Sequence, residues 1–399
     1  VRVEEARATS IGGGGGVEGG LRLRTGDQGQ AEERFELAPR GFFEIGRRNL
    51  WGKNRAVNLF SRVSLRSRDI AENGVQPADP ADRSKYGFQE YRVVGTFREP
   101  RVFDSDADML VTGILEQAIR SSFNFVRREA RAEVGLRVSR IYSLAARYSF
   151  ERTQLFDEKF LPDEKPLIDR LFPQFRLSTF SGTMLRDTRD DVLDASRGTL
   201  LLVESDLAAR VVGSEVGFVK SYVQGSSFYR FPNSRRIVLA LNARLGAAHG
   251  FPREVSRIDS TGATVVDVVE DLPASERFFA GGDTTVRGFS LDRLGDEQTI
   301  GASGFPTGGN GVIVLNSELR VGVFGPLQAV SFLDAGNVVA RAGDLDVRDL
   351  RPAAGFGFRY RSPVGPIRID VGFNLDRREL RPGQLERRTA WHISMGQAF

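Results

Sequence analysis

Pro366-Ile367-Arg368-Ile369-Asp370-Val371-Gly372-Phe373-Asn374 alternates without a break. Ile367, Ile369, Val371 and Phe373 fall on one side of an extended chain; Arg368, Asp370, Gly372 and Asn374 fall on the other. Successive side chains of a strand point to opposite faces, so the stretch predicts a strand with one apolar and one polar face. Gly355–Arg361 repeats the scheme, with Phe356, Phe358 and Tyr360 set against Gly357, Arg359 and Arg361. The last segment sets Trp391, Ile393, Met395 and the terminal Phe399 against His392, Ser394 and Gly396, and Gln397 interrupts its apolar row.

The same period runs upstream. Strands are expected near 11–25, 31–45, 54–68, 86–98, 107–119, 123–138, 141–156, 175–187, 198–211, 215–231, 235–247, 311–322, 328–339, 352–361, 365–375 and 388–398. That is about sixteen, an even number, as single-chain bacterial barrels have. Many are longer than the roughly 9–11 residues that cross a bilayer on a tilt. Turn residues separate them at Asn49-Leu50-Trp51-Gly52, Glu99-Pro100, Phe231-Pro232-Asn233 and Ser362-Pro363.

Composition is compatible with a membrane. The 399 residues include no run near the ~18–20 apolar residues of a transmembrane helix. Mean hydropathy is −0.26, but a membrane barrel shows lipid only every second residue, so a low average does not exclude one. Lipid cannot hydrogen-bond a free strand edge, which obliges a sheet in a bilayer to close on itself. A soluble all-β sandwich explains the alternation too, but not the aromatic strand ends or the arginines on the inward faces. The expected fold is therefore an all-β, 16-stranded antiparallel transmembrane β-barrel. The chain has no cysteine, which suits an oxidising compartment without requiring one. Its formal charge of +4 is spread among interspersed acids and bases, with no basic block of the kind that binds nucleic acid.

One connection stands apart. Some sixty residues, about 248–310, separate two expected strands and contain Phe278-Phe279-Ala280-Gly281-Gly282 and Val286-Arg287-Gly288-Phe289. Connections this long are usually functional or disordered.

These two motifs resemble the hallmark loop of the outer-membrane assembly-factor superfamily, the bacterial surface antigen barrels that include BamA, TamA and the two-partner secretion transporters. Other segments agree in order. Asp187-Thr188-Arg189-Asp190 with Ser196-Arg197-Gly198 resembles the mid-barrel motif. Asn316-Ser317-Glu318-Leu319-Arg320 and Phe332-Leu333-Asp334-Ala335-Gly336-Asn337 resemble the two strands after the loop. Ser362-Pro363-Val364-Gly365-Pro366 is similar to the penultimate hairpin, and Phe399 to the terminal aromatic. The likeness covers nearly the whole chain. Residues 1–8 resemble the last strand of a periplasmic POTRA domain, which implies a barrel over 9–399 and a targeting sequence and POTRA domains upstream. Gln397 departs from the family's terminal insertion signal.

The resemblance implies a loop folded back into the lumen, with Arg287 meeting Glu318 and Asp334 on the inner wall, Gly288 turning the chain and Phe289 anchoring the tip. The chemistry suits this, since a guanidinium can hold carboxylates through two parallel hydrogen bonds. A surface loop with an incidental arginine is the plain alternative. A second expected site is a lateral seam between the first and last strands, involving Gly12, Gly13, Gly14, Gly15 and Gly16 on one side and Trp391, Ile393 and Phe399 on the other. Glycine brings no side chain to cross-strand packing, so such a seam would be weak. A flexible linker, or packing room at a bend, would also explain those glycines.

Enzyme-like patterns do not survive their context. Gly14-x-Gly16-x-x-Gly19 is followed by the strand-like Leu21-Arg22-Leu23-Arg24, not by a helix. Asp104, Asp106 and Asp108 resemble the start of a calcium loop, but Leu115 stands where a bidentate Glu belongs. His249 and His392 are the only histidines and have no metal spacing. No catalytic residue, metal or cofactor is expected. The expected function is assembly or translocation of outer-membrane proteins without ATP, through the weak seam, in the bacterial outer membrane. Its expected partners are outer-membrane lipids and lipopolysaccharide, unfolded outer-membrane clients, and periplasmic chaperones or accessory lipoproteins, with no nucleic acid. Alternatives are a two-partner-type secretion pore, the membrane barrel of a patatin-like lipase fusion, and a passive porin, which the long loop disfavours.

Overall fold

The computed structural model describes residues 8–26, 30–67, 86–159, 173–232, 234, 236–258, 264–362, 365–381 and 384–395. Twenty strands form: β1 (Thr9–Thr25), β2 (Ala31–Leu50), β3 (Arg55–Ser67), β4 (Tyr86–Glu99), β5 (Ala107–Ile119), β6 (Asn124–Arg137), β7 (Tyr142–Phe156), β8 (Gln174–Asp187), β9 (Gly198–Ala208), β10 (Phe218–Arg230), β11 (Ile237–Gly250), β12 (Arg253–Ile258), β13 (Thr264–Val269), β14 (Gly311–Phe324), β15 (Leu327–Val339), β16 (Arg351–Ser362), β17 (Gly365–Asn374), β18 (Glu379–Arg381), β19 (Gln384–Leu385) and β20 (Thr389–Met395). Sixteen of them make one antiparallel sheet in chain order, β1 to β11, then β14 to β17, then β20. The other four pair as two short hairpins, β12–β13 and β18–β19, inside connections. All sixteen expected strands correspond to strands of the main sheet. Their ends move by a few residues: the strand expected over 31–45 runs on to Leu50, and β11 ends at Gly250, so the long connection starts at 251 rather than 248.

The alternation read from the sequence sorts the two faces of the wall. On β17, Ile367 and Ile369 are exposed while Arg368 and Asp370 are buried. On β14, Leu315 and Leu319 are exposed while Val312, Val314, Asn316, Glu318 and Arg320 are buried. The outer face is thus the apolar one, as lipid demands, and the polar side chains turn into the barrel.

The connections differ at the two ends. One end carries short turns, such as Phe324 to Leu327 and Leu50 to Arg55. The other carries the long stretches after β11 and β17. Short periplasmic turns and longer extracellular loops are the rule for such barrels, which orients the molecule. The connection between β8 and β9, on the periplasmic end, is longer and built on its own carboxylates. Asp190 accepts from the Ser196 and Arg197 amides at 2.8 and 3.0 Å. Ala195 packs inward on Phe228 and Ala240.

The lumen is not uniformly polar. From the long connection, Leu272 and Ala274 enter a buried apolar cluster with Phe123 and Phe125 of the β5–β6 region, Leu155, Phe175, Leu177, Phe218 and Ala248. A second cluster joins Ala280, Val286, Phe289 and Leu294 to Val312 and Val314 of β14, Val338 of β15 and Ala353 of β16. The extracellular half of the barrel is therefore packed like a protein core, and water-facing chemistry begins below it.

Candidate functional site

Beneath the apolar packing the inner wall changes character within one strand. Along β14 the inward positions read Val312, Val314, then Asn316, Glu318 and Arg320, all buried. Charged side chains from β15, β16 and β17 join them at the same level.

Into this ring comes the tip of the long connection. Val286 and Phe289 are buried on either side of Arg287, whose side chain is 1 % exposed. The Arg287 backbone amide donates to Asp334 at 3.0 Å, and its Nε and Nη2 donate to the two oxygens of the same carboxylate at 2.7 and 2.8 Å. Nη1 donates to Glu318 and lies 3.7 Å from Asp370. The guanidinium stacks over the Phe332 ring, 3.6 Å from its centre. Asn316 ties the loop to the wall as well: its amide donates to the Thr285 carbonyl at 2.6 Å and to Asp334 at 2.9 Å.

The acids are shared. Glu318 also accepts from Arg320 and Arg359, each at 2.8 Å. Arg359 reaches Asp370 at 2.7 Å, and Arg368 reaches Asp283, a second loop residue, at 3.1 Å. Four guanidinium groups thus face four carboxylates among the described residues. Ion pairs taken out of water stabilise only when their remaining hydrogen-bonding capacity is met, and at Arg287 all three guanidinium nitrogens donate to carboxylates.

Backbone shape makes the close approach possible. Gly288 has φ +105°, in the left-handed region, and a Cβ there would sit 2.9 Å from the Ala353 Cβ. On the wall beneath, a Cβ on Gly372 of β17 would collide with the Gly288 amide nitrogen. Two glycines, one on each partner, let the main chain of the loop rest on the main chain of the wall. Phe289 follows, buried, with the Arg351 guanidinium 4.7 Å over its ring.

Sequence reading named Arg287, Gly288, Phe289, Glu318 and Asp334, and the structure brings these five together. It also brings in Asp370, Arg359, Arg320, Phe332 and the Arg368–Asp283 pair, which no single motif marked. Their signal was present as the polar face of β16 and β17, but alternation alone does not say which inward charges meet.

The fold continues past this point to a second anchorage. Glu276 lies 3.6 Å from Arg127 of β6 and 3.8 Å from Lys220 of β10, whose ammonium also donates to the Glu276 carbonyl at 2.9 Å. At the extracellular end, Arg293 meets Glu33 of β2 at 3.4 Å. Burial pulls the Arg293 guanidinium below its ordinary value, with Glu33 and Glu386 opposing the shift.

The remaining predicted residues lie at the edges of the sheet. Gly12 to Gly16 belong to β1 and pair with Glu44 to Arg40 of β2. Trp391 and Ile393 of β20 are exposed. β1 and β20 approach within 8 Å, yet among the described residues no ladder joins them. Phe399 lies outside the described residues, as do 1–7 of the expected POTRA remnant.

Residues 10–399 match the Omp85 superfamily domain. The chain belongs to the Omp85 superfamily. As such it is a β-barrel of the bacterial outer membrane. It is 25 % identical over 311 residues to the outer membrane protein assembly factor BamA of Nitratidesulfovibrio vulgaris, covering 77 % of this chain and 36 % of that protein. The chain thus spans about a third of that relative's length. Its fold is similar to the crystal structure of BamA from Haemophilus ducreyi lacking POTRA domains 1–3, with a TM-score of 0.71 at 15 % identity over 98 % of this chain and 71 % of that one. It also resembles CdiB from Acinetobacter baumannii, with a TM-score of 0.53 at 11 % identity over 98 % of this chain and 60 % of that one.

Proposed function

We propose that this Omp85 barrel inserts unfolded outer-membrane proteins into the bilayer, without ATP, through the seam between β1 and β20. One observation carries the reading: every other neighbouring pair in the sheet is joined by a ladder, and this pair is not among the described residues. An unpaired strand edge is a template for another strand, so a client can add to it by backbone pairing alone. The glycines of β1 favour this, because they hold few side-chain contacts that the incoming strand would have to break. In this scheme the Arg287 site positions the loop and keeps the lumen occupied while the wall opens sideways. A secretion pore would instead need the lumen cleared of both the apolar packing and the charged ring. Interaction with lipids, lipopolysaccharide, periplasmic chaperones or accessory lipoproteins belongs to the same proposal.

The test uses the full-length chain in liposomes. These 399 residues contain no cysteine, so one cysteine on β1 and one on β20 form the only thiol pair of the barrel. Oxidation is expected to stop client insertion and reduction to restore it. Insertion at the full rate with the seam crosslinked would end the proposal, and transport of a soluble passenger in that state would favour the pore.

A further inference from the structure

The long connection reaches across the molecule to the far side of the seam. Its tip is fixed to β14–β17 through Arg287. A few residues later the same segment is fixed to β1 and β2. Glu33 of β2, only 5 % exposed, accepts from the Ser290 hydroxyl and lies 3.4 Å from Arg293. The Ala31 amide donates to the Ser303 carbonyl at 2.8 Å, and Leu23, Ala31 and Phe305 share a buried cluster. β1 and β2 pair along the whole length of β1, so a hold on β2 is a hold on β1.

The other side of the seam meets the same residues. Arg387, two positions before β20, lies 3.2 Å from Glu33. Arg351 of β16 donates to the Gly295 carbonyl at 2.9 Å and pairs with Glu386, next to Arg387. Glu33, Phe289, Arg293, Asn374, Arg387 and Ala390 converge on one small cavity. The two edges that lack a shared ladder are thus connected from within by a single loop segment.

We propose that Glu33 and Arg293 form a strap, so that the width of the seam is set by the loop rather than by pairing between β1 and β20. The idea rests on the seam reading above and adds the element that holds the seam closed. The buried Glu33–Arg293 contact is its working part, since loss of one partner strands a charge away from water. The Glu33–Arg387 contact contributes little, because Arg387 is 60 % exposed.

Paired spin labels on the full-length chain in lipid nanodiscs test it. Ile11→Cys on β1 and Ile393→Cys on β20 report the seam; both positions are exposed. Leu59→Cys on β3 and Leu144→Cys on β7, also exposed, report an unbroken part of the wall. In Glu33→Gln and in Arg293→Met, the seam distance is expected to broaden and gain a population longer by about one strand spacing, roughly 5 Å, while the wall distance stays put. Ser290→Ala, which removes a hydroxyl and no charge, is expected to move the seam the same way by less, and it keeps the test open if a charge variant fails to fold. An unchanged seam distance in all variants that fold overturns the strap, whatever happens to client insertion. A wider seam with unchanged client insertion supports the strap and sinks the lateral-gate reading.

Discussion

Arg287 and Asp334, 47 residues apart in sequence, are joined by three hydrogen bonds, two from the guanidinium and one from the backbone amide. The amide bond fixes the main chain of the loop and the side-chain fork fixes its direction. Position and orientation of the tip are therefore set by one carboxylate.

Arg287→Ala leaves Asp334 buried without its guanidinium, held by the backbone amide at position 287 and by Asn316, while Glu318 keeps Arg320 and Arg359. The expected loss is about 3–5 kcal/mol, the scale for breaking a buried pair. Asp334→Asn added to Arg287→Ala should recover part of it, because the stranded charge is gone. Arg287→Lys should rescue poorly, since an ammonium cannot reproduce the fork. Urea unfolding in detergent, together with heat-modifiable gel mobility, reads all three.

Gly372→Ala adds one methyl group where the loop backbone touches the wall. It should displace the tip without disturbing the β16–β17 ladder. Protease cleavage within 280–295 should rise in this variant and not in Gly343→Ala, where a Cβ meets nothing within 4 Å.

Leu272 is fully buried in the apolar cluster of the lumen. Leu272→Ala should cost about 2–5 kcal/mol, as large-to-small changes in a packed core do. Hydrogen exchange should quicken in 270–280 first, with the strands of the wall following only at higher denaturant.

Asp190 tests the periplasmic connection. Burial disfavours its charge, but hydrogen bonds from Ser196 and Arg197 outweigh that and hold the carboxyl at about 2, below its ordinary 3.8. A lowered value means stability that is present above 3.8 and lost as pH falls through about 2. Exchange of the Ser196 and Arg197 amides, corrected for intrinsic rate, should rise across that window. Asp190→Asn should show faster exchange with no such step.

Much of this was legible beforehand, for physical reasons that differ by element. Period two along β14 to β17 fixed the strands and their outward faces, because lipid tolerates no other arrangement of Ile367, Ile369, Leu315 and Leu319. Arg287, Glu318 and Asp334 came from a resemblance in ordered motifs, not from spacing. The apolar filling of the extracellular lumen was not foreseen. Val312 and Val314 carry it, yet in sequence they sit in an unbroken apolar run with Ile313 and Leu315, which hides the inward face. The β12–β13 hairpin was missed because its valines lie within a stretch read as loop. Glu33 carried no signal, since its partners lie some 250 residues away and meet it only when the barrel curls.

The valine-to-charge transition along β14 has a consequence for permeability. An ion entering from outside meets buried apolar packing, and one entering from the periplasm meets, on the β14–β17 side, guanidinium groups already paired with carboxylates. Hydrophobic constrictions stop conduction by shedding water. A cylinder of sixteen strands, wide enough for a porin's channel, can thus sit in the envelope while passing little current.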